Sequence, residues 1–561
     1  MADSNSTLHS LLHQASFGRF SPGRSSLHQH TFGYLSPGRR AFLTGTLLLT
    51  ATGFVCRVLG FFYRIFLSRT IGAEGLGLYN MIHPVFGICF ALCAGSIQTA
   101  LSQQIAAGAA RGRSIFRAGL ILSMSLSLVL GCAICRHADI LARFVLMEPQ
   151  CAAYLPLMGI SVPFAALHAC INGYYYGMQK SHVPAFSQIV EQVIRMTLVY
   201  GLALHWMTDE RMITVELAVI GHLIGEMASA AFTLLCFWIV PPQRKSDVSN
   251  HSSHPGFQYH DVDTSPACDT HATSRSLLSQ DVTLSLLTLA LPLMGNRLVL
   301  NLLASAEAIW IPNRLQASGL SGSEAFSVYG VLTGMALPFI LFPSAITNSM
   351  AVLLLPSVAR AQAEGRKGRI AESILLSLRY SLSMGILCIG IFVLFGNVLG
   401  TSVFHDPEAG RFIRILAWLC PFLYLATTLG SILNGLGHTR ITFLQNTAAL
   451  GLRLGFVLIG IPRYGILAYL WGMLVSELLL ALMHLISLRR RVEFSWDAWQ
   501  MVVKPAAILG IAVGIHYFTE NLLARFLPLS GNVPVFIQTS FQILWISLCY
   551  GGLLVICGQQ N

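Results

Sequence analysis

Apolar segments of about 20 residues or more follow one another along most of this chain, and each is long enough to cross a bilayer as a helix. Charged residues make up only 11% of the sequence, whereas soluble domains hold about 25%. These two features predict an all-α polytopic membrane protein with about 14 transmembrane helices. The predicted spans cover residues 42–68, 79–105, 115–136, 151–174, 183–205, 214–240, 281–304, 326–355, 372–400, 411–434, 441–461, 464–488, 502–520 and 533–557.

The net charge of +11 is distributed in a way that indicates membrane orientation. If the amino terminus is cytoplasmic and the spans alternate, most of the 35 Lys and Arg residues fall in cytoplasmic segments. The acidic loops at Asp209–Glu210 and Asp406–Glu408 then fall outside. This arrangement follows the positive-inside rule, so both termini are predicted to be cytoplasmic. The basic balance therefore does not indicate a nucleic acid partner.

Two polar segments lie between or before the predicted spans. Residues 1–40 are basic and lack an apolar core, so they are predicted to form a disordered cytoplasmic tail that rests on anionic lipid. Residues 243–280 contain several His and Asp residues and one cysteine, Cys268, which suggests a metal site or a glycosyltransferase-like DVD motif as an alternative. Because this segment has no apolar face to hold ligands in place, we predict a cytoplasmic linker without a metal site.

Features of the first half recur in the same order in the second half. The matching pairs are the basic turns AARGR from Ala109 and AEGRKGR from Ala363, Asn172-Gly173 and Asn434-Gly435, Arg195 and Arg453, and Glu226 and Glu477. The first six helices and the next six therefore form two repeats with the same order of features. Because each repeat has an even number of helices, both have the same orientation in the membrane, which gives two lobes with a cavity between them. The predicted domains are the N-terminal lobe 41–242, the C-terminal lobe 281–490, and two additional spans in 491–561.

The first span carries a narrow polar stripe. One face of this helix carries Gly53, Arg57, Gly60, Arg64 and Ser68, and the other faces are apolar. An arginine near the bilayer centre costs roughly 2.5–3.5 kcal/mol, so these side chains must face protein or water. An anion-binding face in a cavity is the favoured interpretation. Snorkelling of Arg64 and a buried ion pair for Arg57 are the alternatives.

Two further spans carry polar residues that are candidates for lining the same cavity. In the second span, Asn80 and Gln98 share a face with small residues, which indicates either a cavity wall or a close helix contact. In the seventh span, Arg297 and Glu307 cannot easily face lipid. Lining of the cavity between the lobes is the favoured interpretation for this span, and a structural salt bridge is the alternative.

The remaining charged residues inside spans suggest structural pairs. Glu191 precedes Arg195 by four residues, the favourable order for a helical ion pair, and Arg453 is grouped with them as a structural charge. Glu226 and Glu477 occupy matching places, which suggests packing against Arg195 and Arg453; a proton or sodium site is the alternative. The sequence has no GxxxxGK[ST], HExxH or GxSxG motif, so we predict neither an enzyme nor a bound cofactor.

Three stretches carry a family resemblance. GFVCRVLGFFYRIFLSRTIGAEGLGLYNMIHPVFGI from Gly53, EAIWIPNRLQASGLSGSEAFSVYG from Glu307 and GMALPFILFPSAITNSMAVLLLPSVA from Gly334 resemble the stage V sporulation protein B family. That family belongs to the multidrug/oligosaccharidyl-lipid/polysaccharide exporter superfamily. The related peptidoglycan flippases share an S-R-V-L-G-F motif with a second arginine, which CRVLGFFYR matches at Arg57 and, displaced by one residue, at Arg64. They also have an aspartate before the second span, and Glu74 is the residue in that neighbourhood here.

The resemblance implies a flippase that moves an undecaprenyl-pyrophosphate-linked saccharide, lipid II or a related polysaccharide precursor, across the bacterial plasma membrane by alternating access. We expect Arg57, Arg64 and Arg297 to bind the pyrophosphate headgroup, with Na+ or H+ as the candidate coupling cation. Membrane lipid and glycan-synthesis proteins are the expected partners, and a monomer is the expected functional unit. The alternatives are a cation-coupled multidrug antiporter of the same superfamily and a membrane enzyme of lipid-linked sugar metabolism.

Overall fold

The computed structural model of the chain describes residues 37–107, 112–208, 214–239, 280–526 and 535–558. Within these ranges the backbone is almost entirely helical and contains no β-strand, which confirms the predicted all-α membrane class. Residues 46–561 form one compact unit that contains every predicted site residue. Residues 1–45 form a separate unit, of which the described part is helical. Residues 1–36 of the predicted tail and residues 243–279 of the predicted linker lie outside the described residues.

The long helices are numbered along the chain. In the first half they are α1 Pro37–Phe90, α2 Ser96–Ala107, α3 Gly112–Arg136, α4 Leu155–Gly177, α5 His182–Thr208 and α6 Glu216–Ile239. In the second half they are α7 Gln280–Ala317, α8 Gly322–Gly330, α9 Ser344–Ala363, α10 Lys367–Leu399, α11 Pro407–Leu416, α12 Cys420–Gly435, α13 Thr439–Gly455 and α14 Ile466–Arg489. The carboxyl-terminal pair is α15 Lys504–Phe526 and α16 Val535–Gly558.

Short helical turns join several of these helices. Turns of π-helix occupy Ala91–Gly95, Leu141–Val145, Val331–Ala336, Gly400–Phe404, Phe456–Gly460 and Trp499–Val503. Turns of 3-10 helix occupy Pro149–Ala153 and Ala417–Leu419, and short α-helical turns occupy Ala138–Ile140, Leu337–Leu341 and Ile461–Tyr464.

Twelve helical segments among the described residues are long and apolar enough to cross a membrane. The first, Leu47–Ala107, has 61 residues. At 1.5 Å per residue a straight helix of this length would measure about 90 Å, about three times the hydrocarbon thickness. The helix is broken at Gly72, whose φ of 69° is in the left-handed region that favours glycine. This one segment therefore contains most of the predicted span 42–68 and all of the predicted span 79–105.

The predicted total of 14 spans is not established by these segments. Predicted span 183–205 lies in α5, which has 27 residues but is not one of the twelve candidates. Predicted span 326–355 is interrupted, because one helical segment ends at Leu341 and α9 begins at Ser344. Pro343 lies at this break, where it has no N–H to donate and restricts the residue before it. Fourteen spans therefore stay a prediction.

Each half packs around its fourth predicted span. Helix α4 contacts α2, α3 and α6, and α12 contacts α9, α10 and α14, which are the corresponding helices of the second half. Small residues bring these helices close together: a Cβ atom at Gly131 of α3 would lie 2.7 Å from the carbonyl oxygen of Gly159 of α4. The two halves thus share one packing pattern, while the limits of the predicted domains stay predictions.

Helix α7 connects these two groups, and the last two helices pack on the second half. Helix α7 packs against α2 and α3 of the first half and against α13 of its own half. Helices α15 and α16 pack against each other and against α10. There the Tyr550 hydroxyl donates to the Ser383 carbonyl over 2.9 Å, and Lys504 Nζ donates to the Cys557 carbonyl over 2.9 Å. The carboxyl-terminal pair is therefore attached to the second half.

Candidate functional site

The two arginines of the first stripe both reach across to the second half. Arg57 is exposed, and its Nη1 donates to Ser344 Oγ at the start of α9 over 3.4 Å. Arg64 is half-buried, and its Nη1 donates to the Thr333 carbonyl over 3.3 Å. Because they lie seven residues apart on one helix, their side chains are stacked about two turns, or roughly 10 Å, apart along the axis. Through its arginines the stripe therefore contacts the π-helical turn Val331–Ala336 and α9 of the opposite half, while Gly60 between them lies near Gln192 of α5.

Thr333 brings a further candidate residue to this place. Asn80 Nδ2 donates to Thr333 Oγ1 over 2.9 Å, on the same residue whose carbonyl accepts from Arg64. Thr333 belongs to the π-helical turn Val331–Ala336, and such turns change the direction of the side chains that follow. Arg64 and Asn80, from either side of the Gly72 break, thus meet at one residue of the opposite half.

The third candidate arginine, Arg297, approaches the first half at a different place. It is exposed, and its Nη2 donates to Thr99 Oγ1 over 3.0 Å. The absence of a side chain at Gly95 leaves room for the guanidinium, since a Cβ atom there would overlap Nη1. Among the described residues no contact joins Arg297 to Arg57 or Arg64. The small-residue face of the second span is here a close contact with α7, while Gln98 packs through its backbone on Gly173 of α4.

Glu74 lies where the two halves come closest. Its Oε2 accepts from Ser323 Oγ over 2.7 Å, which links the segment after Gly72 to α8. One turn further on, Gly77 lies against the Phe326 carbonyl and Gly330 lies against the Ala73 carbonyl. A Cβ atom at either glycine would overlap the opposing backbone. Nearby, Arg69 Nε donates to the Val403 carbonyl over 2.9 Å. The halves are therefore in direct backbone contact at the end of the molecule that holds Gly72.

The second half contains a buried charge cluster. The Glu307 carboxylate lies 2.7 Å from both Nη2 and Nε of Arg453, and it also accepts from the Tyr469 hydroxyl. Glu477 Oε1 lies 3.7 Å from Arg453 Nη1. Glu307 is only 5% exposed, so this carboxylate lies in an ion-pair cluster and not at an open surface. The formal charges of these two carboxylates and one guanidinium sum to −1.

The first half contains a related cluster with different partners. Arg195 forms an ion pair with Glu191 one turn earlier, and its guanidinium packs against Gly225 of α6. Glu226 does not pair with Arg195; its Oε2 lies 2.8 Å from His168 Nε2. Next to it, both ring nitrogens of the buried His222 lack a hydrogen-bond partner among the described residues. The matching glutamates of the two halves thus have a histidine as neighbour in one case and an arginine in the other.

Several residues of these clusters were not identified from the sequence. Thr333, Ser344, His168 and Tyr469 are uncharged or weakly basic residues in apolar helices, and nothing in their spacing marks them as partners. Ser344 does lie in a stretch that carries the family resemblance. Among the described residues no group of His, Cys, Asp and Glu side chains could hold a metal ion. The histidines of the predicted linker lie outside those residues.

Comparison with known families decides the classification. Residues 42–362, more than half of the chain, match the family described as "Polysaccharide biosynthesis protein". The chain belongs to this polysaccharide biosynthesis protein family. A second family description, MatE, matches residues 314–459. The first match ends in α9 and the second ends in the π-helical turn after α13, so both include the α8–α9 region that contacts Arg57 and Arg64.

A curated relative and a solved structure agree with the resemblance seen in the sequence. Stage V sporulation protein B of Bacillus subtilis is 25% identical over 505 residues, which cover 88% of this chain and 92% of that protein. The resemblance to that family is confirmed. The structure titled lipid II flippase MurJ, inward closed conformation, has a TM-score of 0.65 at 13% identity and covers 92% of this chain and 99% of its own.

The fold also extends to multidrug transporters. An inward-facing multidrug resistance MATE family transporter of the MOP superfamily has a TM-score of 0.58 at 14% identity and covers 78% of this chain and 94% of its own. At these identities the likeness shows the fold. This multi-pass membrane protein therefore has the fold of these flippase and transporter structures.

Proposed function

We propose that the protein is a flippase for an undecaprenyl-pyrophosphate-linked saccharide, lipid II or a related polysaccharide precursor, in the bacterial plasma membrane. One observation carries the proposal: among the described residues, Arg57, Arg64 and Arg297 have no carboxylate partner. Arg195 and Arg453, by contrast, are neutralised within their own halves. Arginines that lie between the halves without a counter-ion suit an anionic ligand.

The chemistry of the arginine side chain supports a pyrophosphate headgroup. A guanidinium has five N–H donors in a planar fork that matches phosphate oxygens. Each of the three arginines uses one hydrogen bond to the opposite half, so most of its donors stay free for a ligand. A pyrophosphate diester carries two negative charges, which fits several arginines on two facing surfaces. We propose that the isoprenoid tail stays in the lipid while the headgroup passes between the halves.

Movement of the halves supplies the alternating access in this proposal. The contacts of Glu74, Gly77 and Gly330 close one end, and a rocking movement that separates them would open it. We propose Na+ or H+ as the coupling cation, with the excess negative charge around Glu307, Arg453 and Glu477 and the Glu226–His168 pair as candidate sites. Both termini are cytoplasmic in this proposal, the monomer is the functional unit, and glycan-synthesis proteins are candidate partners.

The experiment that tests the substrate uses inside-out membrane vesicles that contain the full-length protein. Defined lipid-linked saccharides are added to the outer leaflet of the vesicles. An impermeant enzyme then modifies every sugar that is still exposed there, so the fraction of sugar that is protected from the enzyme measures translocation to the inner leaflet. We expect protein-dependent translocation of pyrophosphate-linked saccharides. No translocation of any lipid-linked saccharide by correctly folded protein would contradict the proposal.

A cation-coupled multidrug antiporter is the second candidate, and the MatE match and the transporter fold favour it. Such a protein would take up cationic drugs, for which an acidic ligand site is better suited than three unpaired arginines. The same vesicles distinguish the two functions: an antiporter accumulates a fluorescent cationic drug when a Na+ or H+ gradient is applied, and a flippase does not.

A further inference from the structure

An apolar groove with a volume of about 890 Å³ lies on the second half, between α10, the segment α11–α12 and α14. None of the arginines proposed to hold the headgroup lines it. Its apolar walls include Leu382, Ile386, Ile389 and Val393 of α10 and Leu470 and Leu474 of α14. A groove of this kind on a helix bundle in a membrane is in contact with lipid.

Two basic side chains line one end of the groove. Arg411 and Arg414 line it, are both exposed, and lie three residues apart on α11, so they share a helix face. Arg411 Nη1 lies 3.6 Å from Glu408 Oε1, but both side chains are more than half exposed. An exposed ion pair of this kind contributes little to the free energy of folding. Among the described residues Arg414 has neither a hydrogen-bond nor an ion-pair partner. This end can therefore bind an anion.

Aromatic residues place the charged end near the membrane surface. Trp418 and Trp471 also line the groove and are 55% and 60% exposed. Tryptophan side chains on membrane proteins concentrate at the level of the lipid headgroups. The aliphatic part of Arg414 packs against Gly396, three residues before the end of α10. The arginines and the tryptophans thus lie together at the level of the lipid headgroups.

The length of the groove matches one leaflet. Along α10 its lining extends from Leu382, near the middle of the helix, to Val393, which lies eleven residues further on. At 1.5 Å per residue this is about 16 Å, close to half of the roughly 30 Å hydrocarbon core. The groove therefore runs from the headgroup level to about the bilayer midplane, which is the depth of one acyl chain.

We propose that this groove is a binding site for an anionic phospholipid of the bilayer, with its phosphate on Arg411 and Arg414 and an acyl chain along α10. The charge complementarity selects an anionic headgroup, and the depth selects an acyl chain over a long polyisoprenoid. The bound lipid joins α10, α12 and α14, so it stabilises the second half by mass action. This site is independent of the proposed headgroup arginines and of the transported substrate.

The test measures lipid retention by the purified full-length protein. Native mass spectrometry is performed in detergent with equimolar phosphatidylglycerol and phosphatidylcholine. We expect preferential retention of phosphatidylglycerol, and about tenfold weaker binding in the double variant Arg411→Gln/Arg414→Gln, because charge-assisted hydrogen bonds are lost. Arg136→Gln/Arg143→Gln, which removes two exposed arginines from the first half, is the matched control and is expected to retain the lipid.

A third variant tests the groove itself. Ile389→Trp fills its middle and is expected to reduce phosphatidylglycerol retention while leaving both arginines in place. Thermal unfolding of each variant without lipid identifies those that are folded. Equal retention of the two lipids by the wild type, or unchanged retention in the arginine variant, overturns the proposal. Retention that needs the arginines but not the groove shows surface attraction only, and displacement by undecaprenyl phosphate at equal concentration assigns the site to isoprenoids; both results also overturn it.

Discussion

The arginines inside this membrane protein fall into two classes that differ in how their charge is balanced. Arg195 and Arg453 each have a carboxylate partner, and Arg453 has two carboxylates in reach. Arg57, Arg64 and Arg297 donate only to hydroxyl or carbonyl oxygens of the opposite half. The first class balances charge inside each half, and we assign ligand binding to the second. This difference leads to opposite expectations for stability and for transport.

Removal of a balanced arginine is expected to destabilise the protein. Arg453→Met leaves Glu307 and Glu477 buried without their cation, which should cost about 3–5 kcal/mol. Thermal unfolding of the purified protein in detergent measures the loss. Glu307→Leu/Arg453→Met is expected to recover part of it, because fewer uncompensated charges remain. Arg57→Met serves as the comparison, and a loss in Arg57→Met as large as in Arg453→Met would contradict the division into two classes.

The role of Glu226 can be separated from that of its neighbours in the same way. Its partner His168 neutralises it only when the imidazole is protonated, so a proton can enter or leave this pair. If H+ couples at this site, Glu226→Gln is expected to remove the dependence of transport on a pH gradient while the protein stays folded. Vesicle transport with and without the gradient is the measurement. An unchanged pH-gradient dependence would exclude this pair as the coupling site.

At the scale of the helices, the break at Gly72 and the contact that follows it determine how the halves meet. Gly77 and Gly330 allow the backbones of α1 and α8 to touch, and Glu74 and Ser323 form a hydrogen bond beside them. A larger residue at this contact should separate the halves at one end and so change the distribution of states. Substitutions at this contact therefore test the movement of the halves that is proposed for transport.

Substitution at the glycine contact is expected to expose this end of the molecule. Gly330→Val would overlap the Ala73 carbonyl, so the contact has to open. With Leu76→Cys introduced at a buried position against Gly334 of the opposite half, and with the exposed Cys132 and Cys135 replaced by Ala, labelling by an impermeant maleimide should become faster. Gly201→Val is the control, since a Cβ atom there has nothing within 4 Å. Equal labelling rates in both variants would show that the glycine contact does not hold the halves together.

The sequence predicts the helices and the polar stripe of the first span, but it does not predict which residues the stripe contacts. The spacing of Arg57 and Arg64 is local, so their shared face could be derived from helix geometry alone. Thr333 and Ser344 lie 269 and 287 residues further along the chain, and only the packing of the halves brings them together. The same holds for Glu226, which the repeat suggested would pack near Arg195. The repeat could not show that His168, on another helix, is its nearest partner.

At the scale of the whole molecule, the repeated packing around α4 and α12 gives two similar groups of helices, with α7 in contact with both halves. This is the fold shared with the flippase and transporter structures. The fold class followed from the apolar segments, whereas the number of spans did not. The interruption near Pro343 divides the predicted span 326–355, and α5 is not among the twelve candidate segments.

Deletion of the predicted linker distinguishes a transporter from an enzyme. If the protein is a flippase, removal of residues 246–276 should leave translocation of lipid-linked saccharides unchanged, because no group proposed to bind the substrate lies there. A membrane enzyme that used the DVD motif would lose its activity. Vesicle translocation by equal amounts of wild-type and deleted protein is the measurement, and loss of translocation in a folded deletion variant would contradict the assignment.

We propose that the unpaired arginines between the halves hold the pyrophosphate during flipping. Purified protein is reconstituted in liposomes with a pyrophosphate-linked saccharide, and the flipping rate is measured for the wild type, for Arg57→Gln, Arg64→Gln and Arg297→Gln, and for the exposed control Arg143→Gln. Each of the three variants is expected to flip at least about tenfold more slowly, because a charge-assisted hydrogen bond is lost, while the control keeps the wild-type rate. Wild-type rates in all three variants, at equal reconstituted protein, would contradict it.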